Sequence, residues 1–243
     1  MVHSVPGTST STSTSTSTQH PAPSTRHPSR LIVFDLDGTL IDSRTDLANA
    51  VNALLVECGA KSLPEDRVGR MVGDGAATLV ARAFEASGRP QPVDALDRFL
   101  ALYAAHLTEF TTPYAGIPGA LAALGARATL AVLTNKPLAS TRTILERLDL
   151  AKFFSGTLVV GGDGPFPRKP DPAGLFSLLH ATRISADETM LVGDSIIDWR
   201  TARAGGTRVC LARYGYGFEG FPLQQIGEDD VTADSPSDLP FLL

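Results

Sequence analysis

Leu31, Ile32, Val33 and Phe34 form an unbroken apolar run, directly after a long stretch with almost no large apolar residue. A short run without alternation is the pattern of a strand buried on both faces. Similar runs recur at Thr129 to Leu133, Leu158 to Val160, Met190 to Val192 and Arg208 to Leu211. Helical spacing separates them, at Ala139 to Leu148, Pro172 to His180 and Ile196 to Ala204. Strands alternating with helices predict right-handed βαβ units. The expected fold is therefore α/β, a doubly wound (Rossmann-like) parallel sheet.

One stretch breaks this rhythm. Residues 44–112 carry no convincing strand pattern, whereas Leu47, Val51, Leu54 and Leu55 have helical spacing, as do Leu96, Leu100, Tyr103 and Leu107. The pattern predicts an all-helical cap over 44–112, inserted into a core built from 30–43 and 113–243. Two connections would tether it, a geometry suited to a lid. Residues 1–29 differ again. Ser and Thr alternate from Thr8 to Thr18, and Pro21, Pro23 and Pro28 follow. Such a segment cannot offset the entropy of ordering itself, so a disordered tail is expected. It resembles a transit peptide only weakly, and it lacks the apolar stretch of a secretory signal.

Composition narrows the functional classes. Acidic residues outnumber basic ones by 26 to 21, a net charge of −5, which argues against a basic nucleic-acid-binding surface. No apolar run approaches the roughly 18 residues of a membrane span. The two cysteines, Cys58 and Cys210, lie far apart, so neither a disulfide framework nor a zinc site is expected, and a reducing, cytoplasmic location fits. Neither composition nor charge distinguishes a monomer from a homodimer.

The candidate chemistry lies at the predicted strand ends, where open parallel sheets bind ligands. The first strand runs into Asp35 and Asp37, the second into Thr134-Asn135-Lys136, and the fourth into Gly193-Asp194-Ser195. Lys169 follows the third strand, and Asp198 lies four residues after Asp194. Crowded carboxylates repel unless a cation intervenes. Mg²⁺ suits the task, because it prefers hard oxygen ligands. With its charge offset, one carboxylate can attack phosphorus as a nucleophile while a second manages the proton.

These residues also carry a resemblance. Asp35-Leu36-Asp37-Gly38-Thr39-Leu40-Ile41-Asp42-Ser43 resembles the nucleophile motif of the haloacid dehalogenase-like phosphatases. Thr134-Asn135-Lys136-Pro137, Lys169-Pro170-Asp171-Pro172 and Gly193-Asp194-Ser195-Ile196-Ile197-Asp198 resemble the later motifs, in family order. Val72-Gly73-Asp74-Gly75-Ala76, Gly161-Gly162-Asp163 and Tyr214-Gly215-Tyr216-Gly217 are similar to segments of the phosphoglycolate phosphatases within that family. Ala115 departs from the proline usual in that group, and Gly164-Pro165-Phe166-Pro167 is an unusual loop.

The resemblance implies Asp35 as nucleophile and Asp37 as general acid/base, with Lys169 neutralising charge. It implies Thr134, Asn135 and Lys169 as phosphate-binding residues. Asp35, Asp194 and the Asp37 backbone carbonyl would hold Mg²⁺. Asp198 and Ser195 would support them, Asp198 either through a metal-bound water or by orienting Lys169. Gly73, Asp74 and Gly75 would read a small phosphorylated substrate from the cap. The same core supports sugar-phosphate phosphatases, pyrophosphatases and β-phosphoglucomutases, and a retired scaffold could serve as a binding module. Blander roles are expected elsewhere: helix capping for Asp42, Ser43 and Asp171, a structural role for His106, and core packing for Trp199.

Overall fold

The computed structural model describes residues 1–3 and 30–243, so nearly all of the expected tail lies outside the described residues. The core opens with strands β1 (Leu31–Phe34) and β2 (Ile41–Asp42). Four helices follow: α1 (Arg44–Glu57), α2 (Glu65–Gly69), α3 (Ala76–Ser87) and α4 (Ala95–Ala105). β3 (Thr112–Pro113) then leads into α5 (Ile117–Gly125), β4 (Thr129–Leu133) and α6 (Leu138–Arg147). The alternation continues through β5 (Val159–Val160), α7 (Ala173–Thr182), β6 (Thr189–Gly193) and α8 (Ile196–Gly205). β7 (Arg208–Ala212), β8 (Val231–Ala233) and α9 (Leu239–Leu242) come last.

Among the described residues, six strands form one parallel sheet in the order β5-β4-β1-β6-β7-β8. β1 lies between β4 and β6, with Leu31 opposite both Thr129 and Thr189. Its side chains alternate between two cores. Ile32 and Phe34 join Leu130, Val132, Met190 and Val192 against α5, α6 and α9. Leu31 and Val33 join Ala131, Leu133, Leu191 and Val209 against Leu175 and Leu178 of α7 and Ala202 of α8. With helices on both faces, every position of the central strands β1 and β6 is buried, which is why their runs are continuous rather than alternating.

The structure refines the expected elements. Residues Gly156–Leu158 form a 3₁₀ turn, and the expected strand there shrinks to the edge pair Val159–Val160. An edge strand bonds on one side only, so less sequence is needed to hold it. β8 carries no sequence signal, being three residues flanked by Asp230 and Asp234. In the cap, periodicity marks α1 and α4, and the structure adds α2 and α3. Leu54, Leu55, Val80, Phe84 and Phe99 bury the faces these helices share, in one apolar cluster continuous with that beneath α5.

The two tethers are not independent loops. β2 and β3 pair antiparallel, with Ile41 opposite Pro113 and Asp42 opposite Thr112. Asp46, buried in the first turn of α1, fastens the return tether. Its carboxylate accepts from the amides of Phe110 at 3.1 Å and Thr111 at 2.8 Å, and from the Thr111 hydroxyl at 2.6 Å. Asp46→Ala would leave those donors unsatisfied, at a cost of about 2–4 kcal/mol. Urea unfolding of that variant beside wild type is expected to show the loss as a lower midpoint.

Candidate active site

β1, β4 and β6 are short, parallel and adjacent, so the residues that follow them emerge along one edge. Asp35 follows β1 and is buried, with Oδ1 accepting from the Leu36 amide at 2.7 Å. Thr134, Asn135 and Lys136 follow β4, and all three are buried. Asp194 and Ser195 follow β6. The loop leading to α7 delivers Lys169, 4% exposed, into the same place.

Two lysines divide the carboxylates between them. Lys169 Nζ lies 2.9 Å from Asp35 Oδ1 and 2.6 Å from Asp198 Oδ1. Asp198 is fully buried and fixed by a capping box at the start of α8, where its Oδ2 accepts from the Ser195 hydroxyl at 2.6 Å and amide at 3.1 Å. Asp198 is thus in direct contact with Lys169. Lys136 Nζ instead grips both oxygens of Asp37, at 2.8 and 2.9 Å. Ser43 Oγ donates to Asp37 Oδ1 at 2.5 Å and lies 3.2 Å from the Tyr216 hydroxyl. Ser43 stands at the N-cap position of α1 but makes no capping bond. The capping role expected for it is therefore replaced by a bond to Asp37.

The electrostatics are dominated by crowding. Burial pushes the Asp35 carboxyl up to about 7, against the pull of Lys169 and with the charge of Asp198 adding to the rise. Burial likewise holds Asp194 well above the usual carboxylate range, helped by the charges of Asp198 and Asp35. For Lys169, burial works against the charged form, but Asp198 and Asp35 outweigh it and the ammonium is stabilised.

Oxygen atoms from Asp35, Asp194 and Asp198 lie within 4.8 Å of one another. Three hard donors around an unrelieved excess of negative charge fit a divalent cation such as Mg²⁺. The Asp37 carboxylate is engaged by Lys136 and Ser43 rather than grouped with these three. That pairing does not compete with the backbone-carbonyl contact the resemblance implies for Asp37.

Asp194 is held by main chain on every side. Gly217 N–H donates to its Oδ2 at 2.7 Å. Gly38 adopts φ +84°, and a Cβ there would fall 1.9 Å from the same oxygen. At Gly215 a Cβ would sit 2.1 Å from the Gly38 carbonyl and 2.3 Å from Asp194 Cβ. Neither position admits a side chain while Asp194 keeps its place.

The cap closes over this edge. The pocket between them, about 50 Å³, is lined from below by Asp35, Asp37, Thr134, Lys136 and Asp194, and from above by Gly73, Gly75, Leu79, Phe99 and Tyr103. Asn135 joins the layers. Its amide donates to the carbonyls of Gly73 and Lys169, both at 2.9 Å, and accepts from the Lys169 amide at 2.8 Å. With its side chain so used, Asn135 has only its main chain left to offer a phosphoryl group. Thr134 Oγ1 accepts from the Lys136 amide at 3.2 Å and keeps its hydroxyl proton to donate. Gly73 and Gly75 reach the cavity, whereas Asp74 pairs with Arg82 at 2.7 Å and is not among its lining residues.

Several residues acquire roles that sequence reasoning did not give them. Lys136 stands inside the motif Thr134-Asn135-Lys136-Pro137, yet its pairing with Asp37 is visible only in three dimensions. Ser43, Tyr216 and Tyr103 are likewise brought in by folding. His106 is an exposed residue at the end of α4, bonded to Glu109 at 2.9 Å, and not a core residue. Asp171 does act at a helix start, accepting from the Ala173 amide at 2.9 Å. Trp199 packs against the core under α7 and α8, and its indole donates to Asp230 at 3.0 Å.

Comparison with known proteins agrees with this geometry. The family model described as haloacid dehalogenase-like hydrolase matches residues 32–212. A phosphoglycolate phosphatase of Rhodospirillum rubrum is 44% identical over 220 residues, covering 86% of this chain and 88% of its own. A plasmid-borne phosphoglycolate phosphatase of Cupriavidus necator is 35% identical over 221 residues, covering 89% and 94%. The crystal structure of a predicted phosphoglycolate phosphatase from Haemophilus somnus superposes with a TM-score of 0.78 at 29% identity, covering 86% of this chain and 96% of that one. With the motif residues gathered at one sheet edge under a helical cap, the chain belongs to the haloacid dehalogenase-like hydrolases.

Proposed function

We propose that the protein is a Mg²⁺-dependent phosphomonoesterase that works through an aspartyl-phosphate on Asp35, with 2-phosphoglycolate as its substrate. The observation that carries the mechanism is the split of two neighbouring aspartates between two lysines. Asp35 faces Lys169, and Asp37 faces Lys136. Two carboxylates in different environments can take different roles.

Both bonds to Asp35 fall on Oδ1, which leaves Oδ2 to attack phosphorus. As the P–O ester bond breaks, Asp37 gives its proton to the departing oxygen. Asp37 then takes a proton from water as that water attacks the phosphoenzyme, and the Asp35–phosphorus bond breaks to release inorganic phosphate and restore both carboxyl groups. Ser43 and Lys136 keep Asp37 oriented, and the Thr134 hydroxyl and the Asn135 main chain hold phosphoryl oxygens. Asp35, Asp194 and the Asp37 carbonyl would hold Mg²⁺, with Asp198 beside them. A bound Mg²⁺ supplies positive charge that keeps Asp35 ionised and offsets the phosphoryl oxygens.

The substrate reading rests on the relatives' names and on size. A pocket of about 50 Å³ beneath the cap suits a two-carbon leaving group better than a hexose. Mostly apolar cap walls and the closed lid also exclude bulk water.

Two measurements test these readings. Asp35→Asn is nearly isosteric and leaves Lys169 its bond to Asp198, so the variant is expected to fold. Its phosphate release from 2-phosphoglycolate should fall by more than about 10³-fold. Turnover near wild type in a metal-replete assay would defeat the nucleophile assignment. Separately, Mg²⁺ binds the folded state selectively and should raise the thermal midpoint, by the equivalent of about 2.7 kcal/mol at a hundred times its Kd. Asp194→Asn is expected to lose most of that shift, and an undiminished shift would place the metal elsewhere.

A further inference from the structure

The cap brings one polar side chain to the cavity. Of its lining residues, Leu47, Val72, Ala76, Leu79, Phe99 and Leu100 are apolar, and Gly73 and Gly75 offer only main chain. Tyr103, on α4, is the exception. It is 3% exposed, and its hydroxyl has no hydrogen-bond partner among the described residues. A buried hydroxyl without a partner is costly, and one that lines a ligand cavity calls for an occupant that accepts its proton. Burial pushes the phenol up to about 12, against the pull of Lys136, so it stays a donor at neutral pH.

Its neighbours indicate which end of the substrate it meets. Lys136 Nζ lies 4.7 Å from the centroid of the Tyr103 ring and bonds both oxygens of Asp37. Asp37 is the residue placed at the departing oxygen, so Tyr103 stands on the leaving-group side and away from Asp35. A buried phenol donor among apolar walls, beside the Lys136–Asp37 pair, matches an acidic group that accepts a directed hydrogen bond. Stacking of Tyr103 on Phe99, with ring centroids 5.9 Å apart, fixes the direction of the hydroxyl.

We propose that Tyr103, beside Lys136, is a specificity-determining residue that donates its hydroxyl proton to the carboxylate of the leaving group. The inference rests on the 2-phosphoglycolate reading and adds the residue that would enforce it. The reading is tested by wild-type turnover of 2-phosphoglycolate against ethyl phosphate, which has a two-carbon leaving group without the carboxylate. The residue is tested by Tyr103→Phe, which removes a single oxygen.

The ratio of kcat/KM for 2-phosphoglycolate to that for ethyl phosphate is expected to fall about tenfold in Tyr103→Phe, the effect of one hydrogen bond to a charged group. The inhibition constant for glycolate should rise by a similar factor. Free of ligand, the variant should unfold at the same temperature as wild type or a higher one, since the lost hydroxyl was unpaired. An unchanged ratio, or an equal loss on both esters with glycolate inhibition intact, overturns the role of Tyr103 while leaving the substrate reading in place. Wild-type preference for ethyl phosphate overturns both.

Discussion

Asp35, Asp194 and Asp198 lie together at the end of a buried sheet, and the cost of that crowding governs the surrounding structure. Carboxylates out of water are unfavourable unless paired, bonded or neutralised. The chain meets the cost by several means. Lys169 lies between Asp35 and Asp198. The helix cap formed by Ser195 takes up the second oxygen of Asp198. The Gly217 amide and the glycines packed around Asp194 bring main chain where a side chain would not fit. What is left over is a raised affinity of Asp35 and Asp194 for protons, caused by their burial and by the neighbouring carboxylates. The shortfall is what a divalent cation would supply.

The same reasoning explains why two aspartates two positions apart need not act alike. Asp35 and Asp37 follow one strand, but the turn at Gly38 and the burial of Leu36 direct them to different lysines. Lys169 comes from the loop ahead of α7 and Lys136 from the end of β4, so the division depends on the order of strands in the sheet. Ser43 adds a third constraint, since the hydroxyl that could have capped α1 is spent on Asp37. A local preference for capping gives way to a second, charge-assisted bond on the Asp37 oxygen that Lys136 also holds.

Much of this was legible in the residues. The continuous runs at Leu31–Phe34 and Thr129–Leu133 identified central strands because burial on both faces removes every polar position. Asp35, Lys169 and Asp194 could be picked out because each follows such a run or the loop after it. Other features are not local properties. Val231–Ala233 becomes a strand only because Cys210–Ala212 offers an edge for it to pair with. The ribbon between Ile41–Asp42 and Thr112–Pro113 joins segments about seventy positions apart, each too short to carry a pattern. Lys136 was visible in its motif, but its attachment to Asp37 depends on the separation of two strands. The unpaired hydroxyl of Tyr103 was hidden by its place in a helical apolar series, where an aromatic residue reads as core.

The cap and the core share an apolar cluster, but the charged pairs of the site lie wholly in the core. Asn135 bonds the Lys169 main chain through both ends of its amide and reaches the cap only through the Gly73 carbonyl. Breaking that last bond would leave Lys169 between Asp35 and Asp198. Tyr103 would leave with the cap, but the Lys136–Asp37 pair belongs wholly to the core. At the hinge, Asp46 binds the return tether to α1, so both tethers move with the same helix. A lid built this way can admit and release ligands while the charged groups stay assembled, and its closure adds shape, dryness and one directed donor. On the proposed function, selectivity would reside in the closed state, and the preformed core would supply the chemistry.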